Sequence, residues 1–283
     1  MPLLRRQSVI ALFFWLLLAE LAPLPTAGAV TGTGSSVKVI ESVTYPGAVS
    51  GNRRRSLDLY LPATGDKKPP LVIFIHGGFW LVSDDDYRIG AYVADALARE
   101  GVAVALLRYR LAPAVRHPAQ AEDVAAGIAL LLRDAERYGY DRKRVYLAGH
   151  SAGGHLASRM VTTTSPLAAD VAGRVRNVVS ISGVHDLRPI MLTAMNQTLA
   201  IDEAEALAQS PALLRPVANA RLTCWVGGGE RAEFLRQNAL LANIWSGLGA
   251  VAEAVVEPDR HHFNVIDGLA DPDHPLTRTL IDG

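Results

Sequence analysis

Five short stretches of this chain are apolar at almost every position: Leu71–Ile75, Val102–Leu107, Val145–Leu147, Val178–Ser182 and Leu222–Val226. A strand that alternates apolar and polar side chains can leave one face in water. An unbroken apolar run must be buried on both faces, as inside a parallel sheet covered by helices. Stretches of helical character separate these runs, over Tyr87–Glu100, Ala119–Tyr138, Ala152–Thr163 and Glu233–Gly247. Pro118 stands just ahead of the second, where a missing N–H costs little. Strands and helices alternating at this spacing build βαβ units. The expected fold is therefore α/β, with a mostly parallel central sheet and helices on both faces. Val37–Tyr45 and Ser56–Leu61 add strands before the first run, and the more alternating Val251–Val256 adds one after the last.

One domain over 37–283 accounts for this pattern, since α/β folds of this size form a single core. Leu187–Pro216 breaks the rhythm with helical patches and three prolines. It is expected to form a cap-like excursion over the C-terminal edge of the sheet, where open α/β sheets place their ligand crevice.

The N-terminus differs from the rest. Arg5-Arg6 precede an apolar stretch from Val9 to Ala19, and the small residues Ala27-Gly28-Ala29 follow. This is the pattern of a secretory signal peptide over 1–29, cleaved near Ala29, with 30–36 as a flexible lead. The apolar run is shorter than the about 20 residues that span a bilayer, so a retained anchor is the alternative and no stable span is expected after cleavage. The mature protein is expected to be exported, periplasmic or secreted. Lys and Arg together number 28, equal to Asp and Glu, and form no long block, so a nucleic-acid partner is not expected. The single cysteine, Cys224, permits no intrachain disulfide and reads as a buried strand residue. No cluster of metal-ligating side chains stands out, and no cofactor is expected. The oligomeric state is open.

Gly149-His150-Ser151-Ala152-Gly153 has the form G-x-S-x-G. The short strand Val145–Leu147 runs into it and a helical stretch leaves it, the context of a nucleophile elbow. A turn this sharp leaves no room for side chains at 149 and 153. It also places Ser151 before a helix whose N–H groups face developing negative charge. His76-Gly77-Gly78-Phe79-Trp80 follows the buried run ending at Ile75 and matches an oxyanion-hole loop. Gly77 and Gly78, with the N–H of Ala152, are its candidate members; Phe79 and Trp80 are candidates for narrowing the substrate pocket. His76 precedes the serine, so a loop-stabilising role is expected in place of a role as base. For the acid, Glu230 sits at the turn after Leu222–Val226, with Glu233 as the alternative. For the base, His262 precedes a helix start after the last strand, with His261 beside it. His117, His150, His155, His185 and His274 fit neither the order nor the position, and His155 is expected to pack.

With these segments located, the chain resembles the kynurenine formamidase (arylformamidase) branch of the α/β-hydrolases, close to the hormone-sensitive-lipase type esterases. HGGFW (76–80), YRLAP (109–113), GHSAGGHLA (149–157), SGVHDLRPI (182–190), GGGERAEFLRQ (227–237) and HHFNV (261–265) carry the resemblance in order along most of the chain. It departs from the family pattern at Glu230 and Asn264, both positions where the pattern tends to have Asp. The resemblance implies the α/β-hydrolase fold, Ser151 as nucleophile, Glu230 as acid, His262 as base, an oxyanion hole at Gly77, Gly78 and Ala152, and Trp80 lining the acyl or aromatic pocket. The expected activity is a serine hydrolase acting on small carboxylic esters through an acyl-enzyme, with arylformamidase action on N-formylkynurenine-like formamides as the alternative. A non-catalytic hydrolase-fold binding protein is a third reading, which would have no need of all three triad residues.

Overall fold

The computed structural model describes residues 36–48, 53–63, 67–81 and 90–282. The leader expected over 1–29, and the 30–36 lead apart from Ser36, lie outside the described residues. Eight strands form one sheet: β1 (Lys38–Thr44), β2 (Ser56–Leu61), β3 (Leu71–Ile75), β4 (Ala103–Leu107), β5 (Val145–His150), β6 (Val175–Ile181), β7 (Arg221–Gly227) and β8 (Val251–Glu257). The order across the sheet is β1-β2-β4-β3-β5-β6-β7-β8. From β4 to β8 all neighbours are parallel, whereas β2 runs antiparallel to both β1 and β4.

The helices that cover it are α1 (Ala91–Arg99), α2 (His117–Arg133), α3 (Ala152–Met160), α4 (Glu203–Gln209), α5 (Ala232–Gly247) and α6 (Pro275–Asp282). Alternate residues of one strand serve the two layers. Leu71, Ile73 and Ile75 pack in a cluster with Val124 and Ile128 of α2, Leu156 of α3 and Leu241 of α5. Val72 and Phe74 point the other way, into a cluster with Val93 and Leu97 of α1 and Leu276 and Leu280 of α6. All five β3 side chains are buried, which is why that run shows no alternation. Cys224 is likewise buried on β7, and burial pushes its thiol pKa up.

Two helices stop short of their expected ends. The stretch to Tyr138 breaks at Asp134, leaving a separate turn over Ala135–Tyr138 closed by Gly139 at φ 84°. α3 ends at Met160 because residues 161–163 are taken up by the returning chain: Val217 N–H donates to Val161 O and Thr163 N–H to Arg215 O. Between β6 and β7 the excursion holds short helical turns at Ile190–Leu192, Asn196–Leu199 and Pro211–Leu213 besides α4. Among the described residues, no helix is long and apolar enough to cross a membrane.

Candidate active site

Parallel strands deliver their C-terminal ends to one edge of the sheet, and the chemically equipped residues leave from that edge. Ile75 is paired with Gly149, His150 with Ile181, Ile181 with Trp225, and Gly227 with Glu257. The segments at 76–80, 151, 182, 230 and 262 therefore emerge beside one another although up to about 180 residues separate them in the chain.

Ser151 occupies the turn from β5 to α3 at φ 55°, ψ −116°, a conformation that L-residues hold only when their surroundings impose it. Its N–H donates to Ile181 O at 2.8 Å. The flanking glycines are sterically required. A Cβ on Gly149 would lie 2.2 Å from the carbonyl oxygen of Gly153, and one on Gly153 would lie 1.9 Å from that of Ile75. The serine is thus raised on a turn that fits between β3 and its own helix.

The loop after β3 lies against this turn. A Cβ on Gly77 would approach His150 O to 2.8 Å and Ser151 Cβ to 3.1 Å, so the absence of a side chain there sets how near the loop comes to the serine. His76 is buried, stacks on Tyr109 with ring centroids 4.5 Å apart, and donates from Nδ1 to Gly77 O at 2.8 Å. Burial pushes its pKa down to about 4, so the ring is neutral at pH 7 and serves the loop. Gly78, Phe79 and Trp80 follow at φ 99°, 54° and 58°. Phe79 is partly buried. Trp80 departs from the expected place on the pocket wall: its side chain is fully buried, edge-on to His117 and His155, and its indole N–H donates to His155 Nδ1 at 3.2 Å. The large apolar ring is driven into the interior beneath the loop, where its one polar atom finds an acceptor.

Glu230 and His262 meet across the sheet edge. His262 Nδ1 lies 2.7 Å from Glu230 Oε2, and both side chains are nearly or wholly excluded from solvent. Burial opposes ionisation of Glu230. Hydrogen bonds from His262, from the Ser182 hydroxyl and from the Gly227 N–H outweigh it and hold the carboxyl below its usual range. The alternatives sit elsewhere. Glu233 pairs with Arg236 and Gln237, and His261 is exposed in a turn held by Asn264. The His262 ring is enclosed by Phe234 at 4.3 Å, His150 at 4.6 Å and the edge of Phe263 at 5.5 Å. A carboxylate on Nδ1 fixes the tautomer that leaves Nε2 free to accept a proton, and stabilises the imidazolium that results.

Two residues escaped the reading of the sequence as parts of this site. Ser182, at φ 51° where β6 ends, donates from Oγ to Glu230 Oε1 at 2.5 Å. His150, the variable residue of G-x-S-x-G, donates from Nε2 to the carbonyl of His262 at 2.7 Å and so ties the elbow to the loop bearing that histidine. Burial pushes the His150 pKa down to about 3 and keeps the ring a neutral donor. Ser182 stood in the S-G-x-x-D-L-R-P segment, but its partner lies 48 residues away and no local pattern signals the contact. Gln237 locks that segment to α5, accepting from the N–H groups of His185 and Asp186 and donating to Asp186 O.

The BD-FAE family profile matches residues 57–219, more than half of the chain and inclusive of the loop and the elbow. The chain belongs to the BD-FAE family. Kynurenine formamidase of Danio rerio is 32% identical over 233 residues, which cover 80% of this chain and 76% of that one. Isoprenylcysteine alpha-carbonyl methylesterase of Arabidopsis thaliana is 35% identical over 105 residues, 37% of this chain and 24% of its own length. The crystal structure of a protein from Silicibacter sp., assigned as a thioesterase, superposes with a TM-score of 0.75 at 31% identity, covering 99% of this chain and 92% of that one. Fold and relatives agree: this BD-FAE member is an α/β-hydrolase.

Proposed function

We propose that this chain hydrolyses small carboxylic esters through an acyl-enzyme on Ser151. The observation that carries the reading is the 2.7 Å contact between His262 and Glu230, at the sheet edge where the strained turn raises Ser151. In the proposed cycle Ser151 Oγ attacks the acyl carbonyl while His262 Nε2 takes its proton. The N–H groups of the 77–78 loop and of Ala152 receive the oxyanion. The tetrahedral adduct collapses, His262 returns the proton to the departing alcohol, and the acyl group stays on Ser151. A water, deprotonated in turn by His262, attacks the acyl-enzyme; the second adduct collapses as His262 returns that proton to Ser151 Oγ, releasing the acid and the free serine. Phe79, at the partly buried bend of the loop, is the aromatic side chain retained as a candidate wall of the pocket.

Aryl formamides are the second reading, favoured by the formamidase of Danio rerio and its 32% identity over most of the chain. The same cycle serves, with an aryl amine leaving and formate released. Purified mature protein assayed on p-nitrophenyl acetate, p-nitrophenyl butyrate and N-formylkynurenine, beside Ser151→Ala, decides between them. Turnover that Ser151→Ala abolishes is expected, with esters preferred. A strong preference for the formamide reverses the order of substrates, and activity untouched by Ser151→Ala refutes the site. Export after cleavage near Ala29 is proposed from the charged, apolar and small-residue pattern of the first 29 residues. A mature N-terminus beginning at Val30 supports it, and an intact Met1 on soluble cytoplasmic protein refutes it.

A further inference from the structure

The loop over 77–80 has a backbone that needs restraint. Phe79 and Trp80, neither of them glycine, stand consecutively in the left-handed region after Gly78. Such conformations persist only where neighbouring structure over-determines them, and they concentrate where a site must be held in one geometry. The restraint here is centred on Trp80. Its carbonyl accepts from Ala112 N–H at 2.8 Å and from Gln120 Nε2 at 3.1 Å, and its indole N–H donates to His155 Nδ1.

His155 is a specific partner. It lies on α3, one helical turn after Ser151, and its backbone N–H donates to the Ser151 carbonyl oxygen at 3.2 Å. An indole can only donate, so Nδ1 of His155 is the acceptor and the ring proton resides on Nε2. Nε2 then donates to Gln209 O, at the end of α4, at 2.7 Å. Both ring nitrogens are spoken for, and Trp80 and His155 have no exposed surface. Burial, with His117 beside it, holds the imidazole neutral, as these two bonds require. One side chain thereby joins the loop after β3, the helix that carries the nucleophile, and the excursion between β6 and β7.

We propose that Trp80 and His155 are positioning residues for the oxyanion hole, their hydrogen bond holding the 77–80 loop in register with Ser151. The inference rests on the hydrolase reading of Ser151 and adds the device that keeps the loop's N–H groups aimed. Neither residue touches the reacting atoms. Misplacing a catalytic group by a fraction of an ångström is enough to lower the rate while leaving ground-state binding intact.

Trp80→Phe keeps an aromatic ring in the buried site but removes the donor together with part of the indole, whereas His155→Leu removes the acceptor with Trp80 intact. Trp80→Phe is expected to lower kcat on p-nitrophenyl acetate about tenfold with KM little changed. Affinity for phenylboronic acid, which forms a tetrahedral adduct on a serine nucleophile, should fall by a similar factor. His155→Leu should show the same loss, and the double variant should be no worse than His155→Leu alone. His155→Gln, which restores one acceptor and one donor, should recover most of the activity. Thermal unfolding of each variant identifies any that fail to fold. Wild-type kcat and boronate affinity in a folded Trp80→Phe, or losses that multiply in the double variant, overturn the inference while Ser151→Ala remains inactive. Activity retained by Ser151→Ala overturns the hydrolase site itself, and with it this inference.

Discussion

Glu230 receives hydrogen bonds on both carboxylate oxygens. Oε1 accepts from Ser182 Oγ and from the Gly227 N–H at 2.9 Å, and Oε2 faces His262 Nδ1. A longer acid than Asp has one more rotatable bond, and the two donors on Oε1 remove that freedom before His262 is engaged. A hydrogen bond to a charged group contributes about 1.5–3 kcal/mol. Ser182→Gly should therefore lower kcat about tenfold or more on an ester substrate. The residue's φ of 51° suits glycine, so backbone strain is not added. In a Glu230→Gln background, itself slower by about 10³-fold, the same substitution should have little further effect. A full, multiplicative loss in both backgrounds would mean that Ser182 acts by another route. The candidates Glu230 and His262 were named residue by residue from the sequence, and the structure sets them against each other. Ser182 was not named, because a contact across two strands depends on the sheet order.

At the scale of elements, the sequence placed the buried strands within a few residues and identified the helices after β3, β4, β5 and β7, but not α6. It did not show that residues 161–163 would pair with 215–217 and cut α3 short, since that pairing joins segments from either side of β6. Nor did it show Trp80 turning inward: an aromatic beside an expected pocket reads the same whether it faces a ligand or the core. The elbow, by contrast, is a local requirement. A methyl on Gly153 cannot avoid Ile75 O without moving β3 or α3. Gly153→Ala should destabilise the fold by about 3 kcal/mol, measured by denaturant unfolding, with activity reduced in whatever folds. An unchanged midpoint would show that the strand and helix can separate there.

Across the whole molecule, four buried histidines are held neutral by burial: His76, His150, His155 and His185. Their folded pKa values are depressed, to about 4 for His76 and about 3 for His150 and His185, against 6.5 for an exposed ring. Between those limits the unfolded chain binds more protons than the folded one, so stability rises with pH there. It is complete above about pH 6.5 and lost progressively on acidification toward pH 3–4. Thermal unfolding should show Tm falling steadily from pH 6.5 to pH 4 and nearly level from pH 7 to pH 8. A flat profile over the acidic range would mean that these rings are already accessible to protons in the folded state.

The sequence alone determined the sheet, because unbroken apolar runs can be satisfied only by burial on both faces. It also determined the strained turn at Ser151, because G-x-S-x-G after a strand leaves few alternatives. The tertiary structure decided what acts on that turn from a distance: Ser182 on Glu230, His150 on the loop of His262, and His155 on Trp80. Each is a hydrogen bond between residues 48 to 112 positions apart in the chain. Hydrophobic periodicity is a property of neighbours along the chain, whereas a buried donor finds its acceptor only once the strands have taken their order.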